Sequence, residues 1–248
     1  KRNDIDHGEI FRKAKLILFS EKKYIKLKAE VNLGSSLLKK LTIQNLIKDE
    51  LFLLMLQKSL VVDHFLEKIL TKLRCEILFN LRDSQKNILE ENFDFIASLS
   101  DQCFFNEYIF TQTKKEINYV NKLKKKIEKN KKIDEMDIMI LGCYTPLHPN
   151  KKIVKKLSKY RSEKILFDDL INAQIKEPMK EKKIQNSIKS LGKISNIVSQ
   201  KVRDQYEKNP YPKWKYTYAK LPSHFLLKLN NQIRPNKIKI ENKFNNPN

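Results

Sequence analysis

The chain has 248 residues, of which 40% are hydrophobic, a formal net charge of +22, and only four glycines. That apolar fraction is enough for one large core or two small ones and excludes a disordered chain. Gly8, Gly34, Gly142 and Gly192 are too few for the tight phosphate-cradling turns of a complete nucleotide-binding α/β domain, and no apolar run reaches the ~18 residues of a membrane span.

In chain order, apolar residues recur at helical spacing almost throughout. Residues 4–24 read as one or two amphipathic helices with Ile10, Phe11, Ala14, Leu16, Ile17 and Leu18 turned inward. A short helix is expected at 35–41, and Thr42 is placed to cap the next, through Ile43, Leu46, Ile47, Leu51, Leu54 and Met55. Asp63 caps a long helix whose core side is Phe65, Leu66, Ile69, Leu70, Leu73, Ile77 and Leu78. Residues 89–110 form another helical stretch, rich in Phe.

Thr113-Lys114-Lys115-Glu116 is a capping box and opens a helix through Ile117, Val120, Leu123 and Ile127. The basic run 122–132 falls on that helix end and the loop after it, where cations suit the dipole, so a solvated helix end is expected there. A short helix over 134–141 leads to the break Thr145-Pro146-Leu147-His148-Pro149. Helices follow at 153–157 and 165–175. Pro178 sits in the first turn of another, which includes Ile184 and Ile188. A helix over 195–207 has Ile197, Val198, Val202 and Tyr206 along one side, and Asn209-Pro210-Tyr211-Pro212 ends it. A last short helix is expected at 223–229. No segment alternates over strand length. The expectation is an all-α, irregular multi-helix bundle of about nine to eleven helices with an extended C-terminal segment, in line with ordinary helix lengths.

The charge is carried by 44 Lys and 7 Arg. Arg is the residue whose planar fork matches phosphate, so a Lys surplus beside abundant Asn and Ile fits AT-rich codon usage as well as an acidic partner. Cys75, Cys103 and Cys143 are odd in number, far apart and set among apolar residues, which points to free buried thiols in a reducing, cytoplasmic compartment. His7, His64, His148 and His224 are scattered, and no HExxH or Cys/His cluster exists, so no metal centre is expected. Cys143 near His148 is the one nucleophile arrangement, and it sits on no recognisable scaffold. Asp168-Asp169 reads as a solvated helix face. No catalytic residue can be assigned.

One segment stands apart. Residues 205–214 hold Tyr206, Tyr211, Pro210, Pro212 and the single Trp, Trp214. Prolines lock the backbone and the aromatics form a rigid amphipathic surface, either a plug for the bundle or a binding surface. Val202-Arg203-Asp204-Gln205-Tyr206-Glu207-Lys208-Asn209-Pro210-Tyr211-Pro212-Lys213-Trp214 resembles the "VRxQYExNPYPRW" signature of a family of bacterial class I S-adenosylmethionine-dependent methyltransferases, which often carry N-terminal tetratricopeptide repeats. Three further stretches resemble the family in the same order: residues 65–74 its "LExLLTxLR", 102–110 its "QCFxNEYVF", and 144–148 its "YxPLH". The likeness spans residues 36–214. Lys213 replaces the family's usual Arg, keeping the charge but losing the fork.

In that family a Gly-rich "GCGTG" loop follows the signature and binds the methyl donor; no such loop is present before Asn248, and Gly142-Cys143 is not it. The resemblance therefore implies a helical region that precedes a methyltransferase domain in the same chain, inactive alone. It divides into an N-terminal extension (1–35), the end of a repeat array, then a helical bundle (36–200), then the signature and a linker (201–248). S-adenosylmethionine would be bound mainly by that adjoining domain. Tyr206, Asn209, Tyr211 and Trp214 would form a lid or wall of the donor pocket, with Arg203 and Glu207 in support, and the bundle would shape the site for an unspecified methyl acceptor. Glu67, Arg74, Asn106 and Glu107, in the matched stretches, are expected to form a buried structural network. Two alternatives stand beside this reading: a helical protein-interaction module, and a basic nucleic-acid-binding helical domain, which requires the lysines to gather on one face.

Overall fold

The computed structural model describes residues 7–32, 45–82, 86–185, 187–188 and 196–208. Among them it is all-α, with twelve α-helices, one π-helical turn and no strand. The first two are α1 (His7–Ser20) and α2 (Lys22–Asn32). Phe11, Ala14 and Leu18 of α1 and Tyr24 and Leu27 of α2 are buried, whereas Ile10, Leu16 and Ile17 are about half exposed. The inward stripe of α1 is thus narrower than its composition suggested: residues 11, 14 and 18 keep the 3–4 spacing, and the other three lie off that line. Lys15 reaches Asp63 at 3.0 Å and Lys23 pairs with Asp49, so both helices are tied to the following segment by charge as well as by the core.

The expected helices over 35–41 and 223–229, and the Thr42 cap, lie outside the described residues. α3 (Glu50–Lys58) is capped instead by Asp49, whose Oδ1 accepts from the Phe52 amide at 2.9 Å. α4 (His64–Arg82) starts as expected, with Asp63 Oδ1 accepting from the amides of Phe65 and Leu66. Leu66, Ile69, Leu70, Leu73, Ile77 and Leu78 are all buried on it, each contributing on the order of 1.5–3 kcal/mol.

The stretch expected as one helix from 89 to 110 is two, α5 (Lys86–Glu91) and α6 (Phe93–Phe105). Asn92 makes the break. Its Nδ2 takes the Ile88 carbonyl, and its own amide falls back on Leu89, three residues away rather than four. Re-aimed in this way, α6 is buried almost all round, the pattern of a central helix, and it packs against α3, α4 and α5.

α7 (Lys114–Lys129) opens with the capping box, Thr113 amide to Glu116 Oε2 at 2.7 Å and Glu116 amide to Thr113 Oγ1 at 3.2 Å. Val120, Leu123 and Ile127 are buried, whereas Ile117 is 43% exposed. α8 (Glu135–Gly142), capped by Asp134, packs against both α6 and α7. α9 (Lys151–Leu157) is capped by Asn150 and lies against α7.

α10 (Ile165–Ile171), a π turn (Asn172–Lys176) and α11 (Glu177–Gln185) are continuous. Pro178 has no amide for the Gln174 carbonyl, and its ring would crowd that carbonyl in a regular helix. The wider π turn relieves this and swings Gln174 into the core, where its Nε2 donates to the Ser100 carbonyl and hydroxyl. Beyond the turn the core ends: Ile184 and Ile188 are exposed. Asp168, expected on a solvated face, is half-buried beside Arg161 (3.5 Å) and Lys176 (3.7 Å). The last helix, α12 (Ile197–Lys208), exposes Ile197, Val198 and Val202.

Gly142 sets the separation of α8 from α6. A Cβ there would lie 2.4 Å from Ser100 Oγ and 3.4 Å from the Gln174 amide. Gly142→Ala is expected to lower stability by about 1–3 kcal/mol through overpacking. Thermal unfolding checks this, and Ser100→Ala in the same chain should recover part of the loss, because it removes the atom that the methyl group meets.

Candidate functional site

The matched stretches of the sequence converge on one side chain. Arg74 lies on the core stripe of α4, between Leu70 and Ile77, and is completely buried. A buried guanidinium must find partners for its charge and donors. It donates to the Thr111 carbonyl at 2.6 Å and to the Phe110 carbonyl at 3.4 Å. Glu116 Oε1 stands 3.7 Å from its Nη2. Its flat face covers the Tyr144 ring at 4.2 Å, and the Phe110 ring lies at 5.7 Å.

Tyr144, from the segment after α8, closes the arrangement. Its hydroxyl donates to Glu116 Oε1 at 2.8 Å and lies 3.2 Å from the Arg74 carbonyl. Burial holds its phenol protonated, well above the ordinary tyrosine range. Gln112 Nε2 reaches the Tyr144 carbonyl at 3.3 Å. Glu116 therefore has two tasks: one oxygen caps α7, and the other faces Arg74 and Tyr144.

The turn between α6 and this cluster is unusual. Glu107 amide bonds to the Phe104 carbonyl and Tyr108 amide to the Cys103 carbonyl, the pair of bonds that defines a Schellman helix end. The left-handed position after such a cap usually holds glycine, yet Glu107 and Tyr108 both occupy it, at φ 58° and 60°. Two such residues cost about 1–2 kcal/mol each. The turn delivers Phe110 and Thr111 to Arg74, which holds it in place. Asn106 Oδ1 accepts from the Tyr108 amide at 3.1 Å.

Among the residues expected to form a buried network, Arg74 does so and Asn106 secures the turn. Glu67 and Glu107 are only partly buried; the Glu67 carbonyl accepts from Thr71 Oγ1 at 2.8 Å. The residues missed are Glu116 and Tyr144 as partners of Arg74. The available signal was an Arg set among Leu70, Leu73 and Ile77 on an apolar stripe, which demands a buried acid. Gln102 was also missed as a clamp: it takes the carbonyls of Leu56 and Ser59 and accepts from the Val61 amide at 3.0 Å, holding the connection from α3 to α4.

None of the three thiols is set up as a nucleophile among the described residues. Cys103 and Cys143 are buried, Cys75 is partly exposed, and burial pushes the Cys143 thiol up, away from the thiolate. His148 packs edge-on against Phe104 with ring centroids 6.4 Å apart. Among the described residues, no three His, Cys, Asp or Glu side chains are grouped to hold a metal ion, and no helix is long and apolar enough to cross a membrane.

Of the residues assigned to the donor pocket, Asn209, Tyr211 and Trp214 lie outside the described residues. Tyr206 and Glu207 fall within α12, with side chains likewise outside them. Arg203 is on the exposed part of α12, its guanidinium 2.8 Å from Asp204. Compared with models of protein families, with curated proteins and with solved structures, the chain matches none.

Proposed function

We propose that this chain is the helical accessory region of a cytoplasmic S-adenosylmethionine-dependent methyltransferase, shaping the acceptor site and closing over the donor pocket of an adjoining domain. The observation that carries this reading is the Arg74 cluster. Three of the four stretches that resemble the methyltransferase family (residues 65–74, 102–110 and 144–148) supply Arg74, Phe110 and Tyr144 to one buried node. Residues 36 and 70 positions from Arg74 that meet at its single charge behave as parts of one folded unit, which is what a shared architecture would require.

The fourth stretch begins on α12. That helix reaches the signature with Ile197, Val198 and Val202 uncovered, the kind of face a neighbouring domain would bury. In this reading Tyr206, Asn209, Tyr211 and Trp214 wall the donor pocket and exclude water from it.

The test is calorimetric titration of S-adenosylmethionine into this chain and into the product of its whole reading frame. Binding confined to the latter supports the reading. Tyr206→Ala and Trp214→Ala in that product are then expected to lower turnover by about tenfold or more, in keeping with a lid that positions the acceptor. A folded whole-frame product that binds no donor overturns it.

A further inference from the structure

The lysines are not spread evenly. Residues 114–164 hold sixteen Lys and Arg against six Asp and Glu, while the whole chain holds 51 against 29.

The fold gathers them further. α9 is pinned across the C-terminal end of α7: Lys156 Nζ donates to the carbonyls of Ile127, Glu128 and Asn130, and Asn150 Nδ2 donates to Glu128 Oε1 at 2.7 Å. The elements that meet here carry Lys125 and Lys129 on α7, Lys131 and Lys132 just after it, and Lys151 and Lys155 on α9, all exposed and none with an ion pair to a described residue. The nearby acids already have partners, and Asp134 caps α8. Asp137 pairs with Lys126 at 2.6 Å, Glu128 with Asn150 and Lys152, and Glu135 accepts from Tyr160.

Lys129 and Lys155 stand in the last turns of α7 and α9, where the helix dipole favours a cation, but the last carbonyls of α7 themselves are taken by Lys156, which reaches across from α9. The exposed lysines also repel one another. Lys125 and Lys129, and Lys151 and Lys155, are like charges four residues apart on a helix, each pair unfavourable by about 0.2–0.5 kcal/mol. A polyanion would relieve that repulsion.

The seam also shows which polyanion. Its apolar residues Ile127, Ile153 and Leu157 are buried, so nothing is poised to enter a lipid surface. The Tyr160 ring packs on Phe167 and its hydroxyl is bonded to Glu135, so Tyr160 is no platform for stacking single-stranded bases. Lysines are point charges without the bidentate fork that reads guanine.

We propose that the α7–α9 seam binds double-stranded nucleic acid through its phosphates, without reading sequence. This inference stands on the charge geometry alone and is independent of the methyltransferase reading.

The test is fluorescence anisotropy of the whole chain with a labelled duplex of about 20 base pairs, as DNA and as RNA, over a range of salt. Lys125→Gln/Lys129→Gln/Lys155→Gln is compared with Lys180→Gln/Lys182→Gln/Lys183→Gln, an equal charge change on exposed positions of α11. The seam variant is expected to bind at least about tenfold more weakly at ~0.1 M salt and to lower the log–log salt slope by about three, at ~0.9 for each phosphate no longer neutralised. The α11 variant should stay within about twofold of the parent chain. Equal losses in the two variants, no duplex binding by the parent chain at low salt, or single strands or anionic vesicles bound as tightly as the duplex would each overturn the proposal.

Discussion

Replacing Arg74 by Leu is expected to lower the unfolding free energy by about 3–5 kcal/mol, the usual cost of breaking a buried ion pair by removing one partner. The loss comes from what is left behind rather than from the pairing itself. Glu116 keeps the Thr113 amide and the Tyr144 hydroxyl but loses the positive charge 3.7 Å away. The carbonyls of Phe110 and Thr111 lose their donor, and the strained turn at Glu107 and Tyr108 loses the side chain that holds its far side. Denaturant titration measures the change. The double variant Arg74→Leu/Glu116→Gln separates the causes. It should recover part of the loss, because the Gln oxygen can still accept from the Thr113 amide while its Nε2 donates to the Tyr144 hydroxyl, whose own proton turns to the backbone carbonyl of residue 74, and no buried charge is left unopposed. Equal stability of the single and double variants would show that the lost hydrogen bonds, not the charge, dominate.

Gln102→Leu is expected to cost about 2–5 kcal/mol, since up to three buried backbone groups lose their partner at about 1–3 kcal/mol for each one left unsatisfied. Leu fills most of the same space, so a cavity is not the cause. The Gln102 amide holds the carbonyls of Leu56 and Ser59 and the amide of Val61, groups that no helix satisfies because they lie at or beyond the end of α3. Hydrogen exchange gives a specific signature: the Val61 amide should lose protection in the variant, while the interior of α4 should keep it until the whole chain unfolds. Uniform loss across both would place Gln102 in the global core rather than at the connection.

The all-α class and several helix starts were legible because they are local. Asp63 and the Thr113–Glu116 box satisfy amides within three residues of themselves, and the α4 stripe repeats every three to four residues, so both are visible in a short window. Periodicity misplaced Ile10, Leu16 and Ile17, because a stripe of apolar residues says which face is buried but not how wide the neighbour that covers it is. The break at Asn92 and the π turn before Pro178 depend on which of two competing partners a backbone carbonyl accepts. That choice is decided by the direction the next helix must take.

The likeness to the methyltransferase family was also read from linear order, and the residues meant to wall its donor pocket lie mostly outside the described structure. What linear order could not contain was the meeting of distant groups. Arg74 on an apolar stripe announced a buried charge, but not that its partners would be the cap of α7 and the ring of Tyr144, 70 residues away. Likewise the Lys122–Lys132 run read as a helix end softened by its own lysines. Folding brought Lys156 to those carbonyls and set the surplus beside the lysines of α9. Helical class follows from interactions between near neighbours in the chain. The buried ion pair and the basic seam follow from which surfaces pack together, and those contacts exist only once the chain has folded.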